Sequence, residues 1–224
     1  MKEWCIPTAD AAFVAQMEEV LDVYEQPYNA QEPVVCFDET SKQLIQEVHK
    51  PTGAAPGSVA KQDFEYQRNG TRNLFMFFEP LAAWRHVHTT QQRTAQDFAQ
   101  AIQWLVEPVY PNAHCIHLVL DNLNTHCAAS LYQTFEPAQA RRILSRLRFH
   151  YTPKHGSWLN MAEIELSVLS RGPLNQRIPN PTQLNLAIGR FEAQRNKKQA
   201  SVNWQFTTAD ARIKLRHLYP SISA

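Results

Sequence analysis

Residues 115–122 read Cys115-Ile116-His117-Leu118-Val119-Leu120-Asp121-Asn122, a short apolar run that ends on a carboxylate. A continuous apolar run of this length, stopped by turn formers, reads as a buried strand. The same arrangement occurs earlier, at Val34-Val35-Cys36-Phe37-Asp38-Glu39, and a third acid, Glu163, follows His155-Gly156-Ser157-Trp158-Leu159-Asn160-Met161-Ala162. Strand ends hold side chains at rigid positions, and a helix can bring a third ligand across. Three converging carboxylates suit two divalent ions, Mg²⁺ or Mn²⁺, and phosphodiester chemistry. The plainer reading is that an aspartate at a strand end forms a turn or a cap. Spacing alone leaves both open.

The rest of the pattern extends outward from these runs. Residues 8–25 predict a helix, capped by Thr8 or Asp10, with Phe13, Val14, Met17, Val20, Leu21 and Tyr24 as its apolar stripe. Strands are expected at 34–37, 44–48, 74–78 and 84–89, forming a meander of three or four antiparallel strands. Residues 94–106 predict a helix with a capping-box start at Thr94 and Asp97. Helices are also expected around 128–135, 137–147, 161–170 and 184–195, with Pro137 tolerated in a first turn. Residues 148–152 predict a last strand. With acids on the first strand, a middle strand and a late helix, this order is that of a ribonuclease H-like α/β fold, a mixed central sheet flanked by helices. Residues 1–33 read as an N-terminal helical segment and residues 34–224 as the ribonuclease H-like domain with basic C-terminal helices.

Composition narrows the class. A chain of 224 residues, 44% apolar and 10% aromatic, can bury a substantial core. No apolar run approaches the ~18 residues of a membrane span, so no membrane partner is expected. The start, Met1-Lys2-Glu3-Trp4-Cys5, lacks a secretory layout, which predicts a cytoplasmic protein, nucleoid-associated when acting. Cys5, Cys36, Cys115 and Cys127 form no CxxC pair and read as reduced, mostly buried thiols. Zinc held by His114, His117, His126 and Cys127 is the sharper alternative, although the spacing matches no zinc pattern.

The small net charge of +1 conceals an asymmetry. Residues 1–140 hold 8 Lys and Arg against 17 Asp and Glu; residues 141–224 hold 14 against 4. A basic C-terminal third is a footprint for a polyanion. The competing reading is that the acidic and basic parts neutralise each other in the fold.

The three acid-bearing blocks, Val34–Leu44 (VVCFDETSKQL), Leu118–His126 (LVLDNLNTH) and His150–Leu169 (HYTPKHGSWLNMAEIELSVL), resemble signature blocks of bacterial insertion-sequence transposases of the mariner-related DDE group. Further similar stretches are Asp63-Phe64-Glu65-Tyr66, Glu79-Pro80, Asn203-Trp204-Gln205-Phe206-Thr207 and Asp210-Ala211-Arg212. The resemblance implies an Asp-Asp-Glu triad of Asp38, Asp121 and Glu163, the last within Leu159-Asn160-Met161-Ala162-Glu163. It implies metal-dependent cleavage of element ends and strand transfer into target DNA, on two Mg²⁺ or Mn²⁺ ions, by a homodimer. The step from Asp121 to Glu163 is 42 positions, longer than in mariner relatives. Glu165 is a rival third acid, but residues two apart point about 200° apart on a helix, so only one of the pair can face the site. Glu39 follows Asp38 and should point to the other face of its strand.

Asn122, Asn124 and His126 are placed near the site by the resemblance, where they orient DNA or a metal-bound water, or simply cap a loop. Lys154 and His155 precede the acidic helix, and Lys154 is placed to meet a phosphate. Trp158 reads either as a base-stacking residue or as a core tryptophan. Arg171, Arg177, Arg195, Lys197, Lys198 and Arg212 together suit a DNA backbone track. Transposases of this group carry a helix-turn-helix region, for which residues before Val34 leave no room. A separate polypeptide supplying it is one expectation. A catalytically silent DNA-binding or assembly module is the alternative, to which the helix-breaking Gly172-Pro173 also points.

Overall fold

A computed structural model describes residues 11–49, 52–60 and 64–220. The predicted caps Thr8 and Asp10, Cys5 and the similarity at Asp63 lie outside the described residues. Strands β1 (Val34–Glu47), β2 (Tyr66–Glu79), β3 (Trp84–Thr90), β4 (Ile116–Leu120) and β5 (Leu147–Tyr151) form one sheet in the order β3-β2-β1-β4-β5. β1, β2 and β3 pair antiparallel, whereas β4 and β5 run parallel to β1. Around the sheet lie helices α1 (Ala11–Tyr24), α2 (Ala95–Trp104), α3 (Ala128–Thr134), α4 (Pro137–Leu144), α5 (Met161–Arg171), α6 (Pro181–Lys197) and α7 (Thr208–Lys214).

The period-two alternation of the strands builds two cores. Val34, Cys36, Met76, Phe78 and Val119 pack with α1, α5, α6 and α7 on one face. Val35, Phe37, Phe75, Phe77, Leu118 and Leu120 pack with α2, α3 and α4 on the other. β1 lies at the centre with both faces covered, which is why Val34–Phe37 is a continuous apolar run. Helix α1 belongs to the first core: Met17, Val20 and Leu21 are fully buried there.

The strands expected at 34–37 and 44–48 are a single strand. The polar residues between them pair with β2 from Thr40↔Leu74 to Gln43↔Thr71, and the register slips between Gln43 and Ile45. Their polarity reflects a strand running out of the core. Lys42 Nζ is held there by the carbonyls of Leu174 and Gln176, at 2.6 and 2.9 Å. β2 begins at Tyr66 rather than Leu74 for the same reason. Helix α2 takes the expected Thr94–Asp97 capping box and closes in a π turn over Leu105–Val109, which contains Pro108. Helix α5 ends at Arg171 with Gly172 as its C-cap, where the sequence predicts a break. Helix α7 was not expected, although Thr207 and Asp210 form a capping box that announces it.

Candidate active site

Asp38 lies two residues beyond Cys36 on β1, and Asp121 two residues beyond Val119 at the end of β4; Cys36 and Val119 are partners in the parallel ladder. The register therefore brings the two aspartates to the same level on adjacent strands. Asp38 follows the Val34, Cys36 alternation toward the face on which α5 packs.

Asn160 anchors α5 there. It is buried, donates from Nδ2 to the Phe37 carbonyl (2.7 Å), and its Oδ1 accepts from the Ala162 N–H (3.1 Å), so one side chain caps α5 and ties it to β1 beside Asp38. Tyr24 of α1 adds a bond to the Leu159 carbonyl (2.8 Å). Glu163 sits in the first turn of the helix so placed. Sequence reading did not single out Asn160 as a positioning residue. Its signal was an Asn directly before an apolar helix.

The electrostatics of Asp38 record the convergence. Burial pushes its carboxyl up to about 7; the Glu39 N–H opposes the shift, and the charges of Glu163, Asp121 and Glu39 add to it. Hard oxygen donors with like charges around Asp38, and among the described residues no ion pair to it, fit a divalent cation. Among the described residues no group of three His, Cys, Asp or Glu side chains stands, as placed, close enough to hold a metal ion. Asp38 feels the charges of Asp121 and Glu163.

Glu165 has a different setting. It is fully buried, receives Arg195 through two bonds (2.8 and 2.6 Å), and lies 3.1 Å from Arg85 Nε. Its charge is therefore matched inside the protein.

His126, placed by sequence among DNA-facing residues, is only 1% exposed. Nδ1 meets Asp121 Oδ1 at 2.5 Å, and Nε2 lies 2.7 Å from Glu39 Oε2. Burial works against its protonation, but the bonds to Asp121 and Glu39 outweigh it and raise the pKa to about 9. Glu39 thus points away from Asp38, as expected of its strand, yet reaches the site through His126. His117 takes another course, bonding His150, while the Cys127 thiol faces the Asn124 carbonyl.

The remaining predicted residues separate into two groups. Asn122 and Asn124 are exposed just past β4; Lys154, His155 and Trp158 are exposed in the segment between β5 and α5. As β4 and β5 are parallel neighbours, both segments leave the same end of the sheet. Trp158 is 44% exposed and leans edge-on against Phe206, so it is not a core tryptophan. His155 adopts a left-handed backbone, φ 64°. Arg171 is exposed near the end of α5. Arg177, by contrast, pairs with Glu47 (2.5 Å) and covers the Tyr66 ring, and Arg212 pairs with Glu18 (2.8 Å). With Arg195 also engaged, part of the basic C-terminal third is spent on internal neutralisation. Lys197 and Lys198 are exposed. Trp204 packs edge-on against Tyr24, so the 203–207 stretch serves the fold.

The chain belongs to the DDE superfamily endonucleases: residues 33–185 match that family's model, a span containing all three acids. It is thus a DDE endonuclease domain. Its ribonuclease H-like fold is shared with solved Mos1 mariner complexes. The paired-end complex with Mn superposes with TM-score 0.58 at 12% identity, covering 97% of this chain and 64% of that one. The Mos1 transposase complex with left transposon end gives 0.56 at 12%, covering 89% and 61%. The Mos1 strand transfer complex gives 0.52 at 14%, covering 97% and 64%. The chain spans less than two thirds of each of these proteins. No curated protein matches the sequence. No helix among the described residues is long and apolar enough to cross a membrane.

Proposed function

We propose that the domain cleaves DNA at the ends of a mobile element and transfers the freed strand to target DNA. The observation that carries this reading is that Asp38, within β1, feels the like charges of Asp121, just past β4, and Glu163, in the first turn of α5, inside a DDE endonuclease domain. These three residues would hold Mg²⁺ or Mn²⁺. Two such ions, when bound, would lower the pKa of an attacking hydroxyl and stabilise the leaving oxygen. The chain itself supplies rigid placement: two aspartates from adjacent strands, and a glutamate from a helix pinned to β1 by Asn160.

DNA lies across the segments after β4 and β5. Asn122, Asn124, Lys154, His155 and Arg171 take its backbone, and Trp158 offers a ring for stacking. Two of the three mariner complexes are paired-end complexes. By that likeness, a homodimer with a helix-turn-helix module outside the residues described here would read the element ends.

Nicking of supercoiled plasmid in Mn²⁺ tests the reading. Wild type should nick, and Asp121→Asn should fold but leave the plasmid intact. Undiminished nicking by Asp121→Asn would overturn the assignment.

A further inference from the structure

The surroundings of His126 exceed what a packing residue needs. Its ring stacks on Phe98 (4.9 Å between centroids) and meets Phe37 edge-on (5.1 Å). Nδ1 bonds Asp121 Oδ1, and Nε2 lies 2.7 Å from Glu39 Oε2, a close ion-pair contact in which that oxygen makes no hydrogen bond of good geometry. The Glu39 side chain is itself 5% exposed, and its Oε1 is approached from the surface by Arg93 at 3.4 Å. A continuous chain Arg93–Glu39–His126–Asp121 therefore runs from the surface, beneath the tip of β4, to one oxygen of a candidate metal ligand.

An aspartate at a strand tip, one-third exposed as Asp121 is, would otherwise be free to rotate. The imidazole removes that freedom by engaging Oδ1, which leaves Oδ2 for another partner. The brace comes from the far face of β1, opposite Asp38, so it orients Asp121 without entering the cluster.

We propose that His126, braced by Glu39, is a positioning residue that fixes the Asp121 carboxylate with one oxygen presented to a divalent cation. This rests on Asp121 being a metal ligand. Hydrogen-bonding partners behind a ligand typically contribute 10–100-fold in metal affinity.

The experiment is Mn²⁺ binding to the metal-free chain, followed by the electron paramagnetic resonance of free Mn²⁺, with thermal melting alongside. The decisive variant is His126→Phe with Glu39→Gln. Phenylalanine keeps the aromatic packing, and glutamine removes the carboxylate that would be left unpaired. Wild type should bind Mn²⁺ and Asp121→Asn should not. The double variant should still melt cooperatively but bind about 10–100-fold more weakly. Glu39→Gln alone retains an oxygen to accept from Nε2 and should stay near wild type. Wild-type affinity in the double variant would overturn the proposal while leaving Asp121 as a ligand. Wild type failing to bind would overturn the metal reading and this inference with it. If the double variant does not fold, Glu39→Ala against Glu39→Gln decides: weaker binding by the alanine variant alone supports the brace, and equal affinities overturn it.

Discussion

Two acidic regions meet along α5 and are built on opposite terms. At its first turn lies Glu163, whose charge, with that of Asp121, adds to the burial that raises the Asp38 carboxyl to about 7. Two residues on, Glu165 is more deeply buried and is gripped by Arg85 and Arg195. The difference teaches where fold ends and function begins. A buried charge that the chain neutralises itself serves the structure. A carboxylate held among like charges, as Asp38 is, carries a cost that a bound divalent cation would relieve.

The comparison can be broken in several ways, taken from the largest expected effect. Asp38→Asn should lower metal-dependent strand cleavage by about three orders of magnitude or more, with little change in urea midpoint, because it removes a ligand and a repulsive charge together. A plasmid-nicking rate and an unfolding curve check both halves. Glu165→Ala should do the reverse. Leaving Arg85 buried without its carboxylate should cost about 3–5 kcal/mol in urea unfolding.

Asn160→Ala touches both regions, since it removes the α5 cap and the tie to β1. It should cost roughly 1–3 kcal/mol in stability and also slow cleavage, because Glu163 loses its fixed approach. Rescue of cleavage by Asn160→Asp, which restores the cap but not the donor to Phe37, would show that the cap matters more than the tie.

The smallest effect is on pH. The folded pKa of Asp38 lies above that of the unfolded chain, so the native state binds the extra proton and metal-free stability falls as pH rises from about 4 to about 7. His126 is also raised in the folded state, to about 9, so its stabilising contribution is present below about 6.5 and lost as pH rises to about 9. Both push the same way: the metal-free protein should lose Tm steadily from pH 5 to pH 9. Mg²⁺ should restore several degrees at pH 8 and almost none at pH 5. A Tm that rises across that range without metal would contradict the charge deficit.

Much of this was legible in the sequence. The runs ending in Asp38 and Asp121 announce buried strands because both faces of β1 and β4 are covered, and the Thr94–Asp97 box announces α2. The polar half of β1 was not legible, because Thr40–Gln43 pairs with β2 beyond the core and shows no apolar alternation. Nor were the partners of Glu165, since Arg85 and Arg195 are 80 and 30 residues away in the chain. The burial of His126 was hidden for the same reason: Glu39 and Phe98 come from distant elements. Charge counting foresaw a polyanion surface and internal neutralisation as rivals, and Arg177, Arg195 and Arg212 show that neutralisation takes a real share.

The most direct test sets the two glutamates against each other: Mn²⁺ affinity and Tm measured side by side for Glu163→Gln and Glu165→Gln. The account predicts that Glu163→Gln loses Mn²⁺ affinity at least about tenfold with an unchanged or higher Tm, whereas Glu165→Gln keeps its affinity and melts lower. Loss of Mn²⁺ affinity in Glu165→Gln, with full affinity in Glu163→Gln, would contradict it.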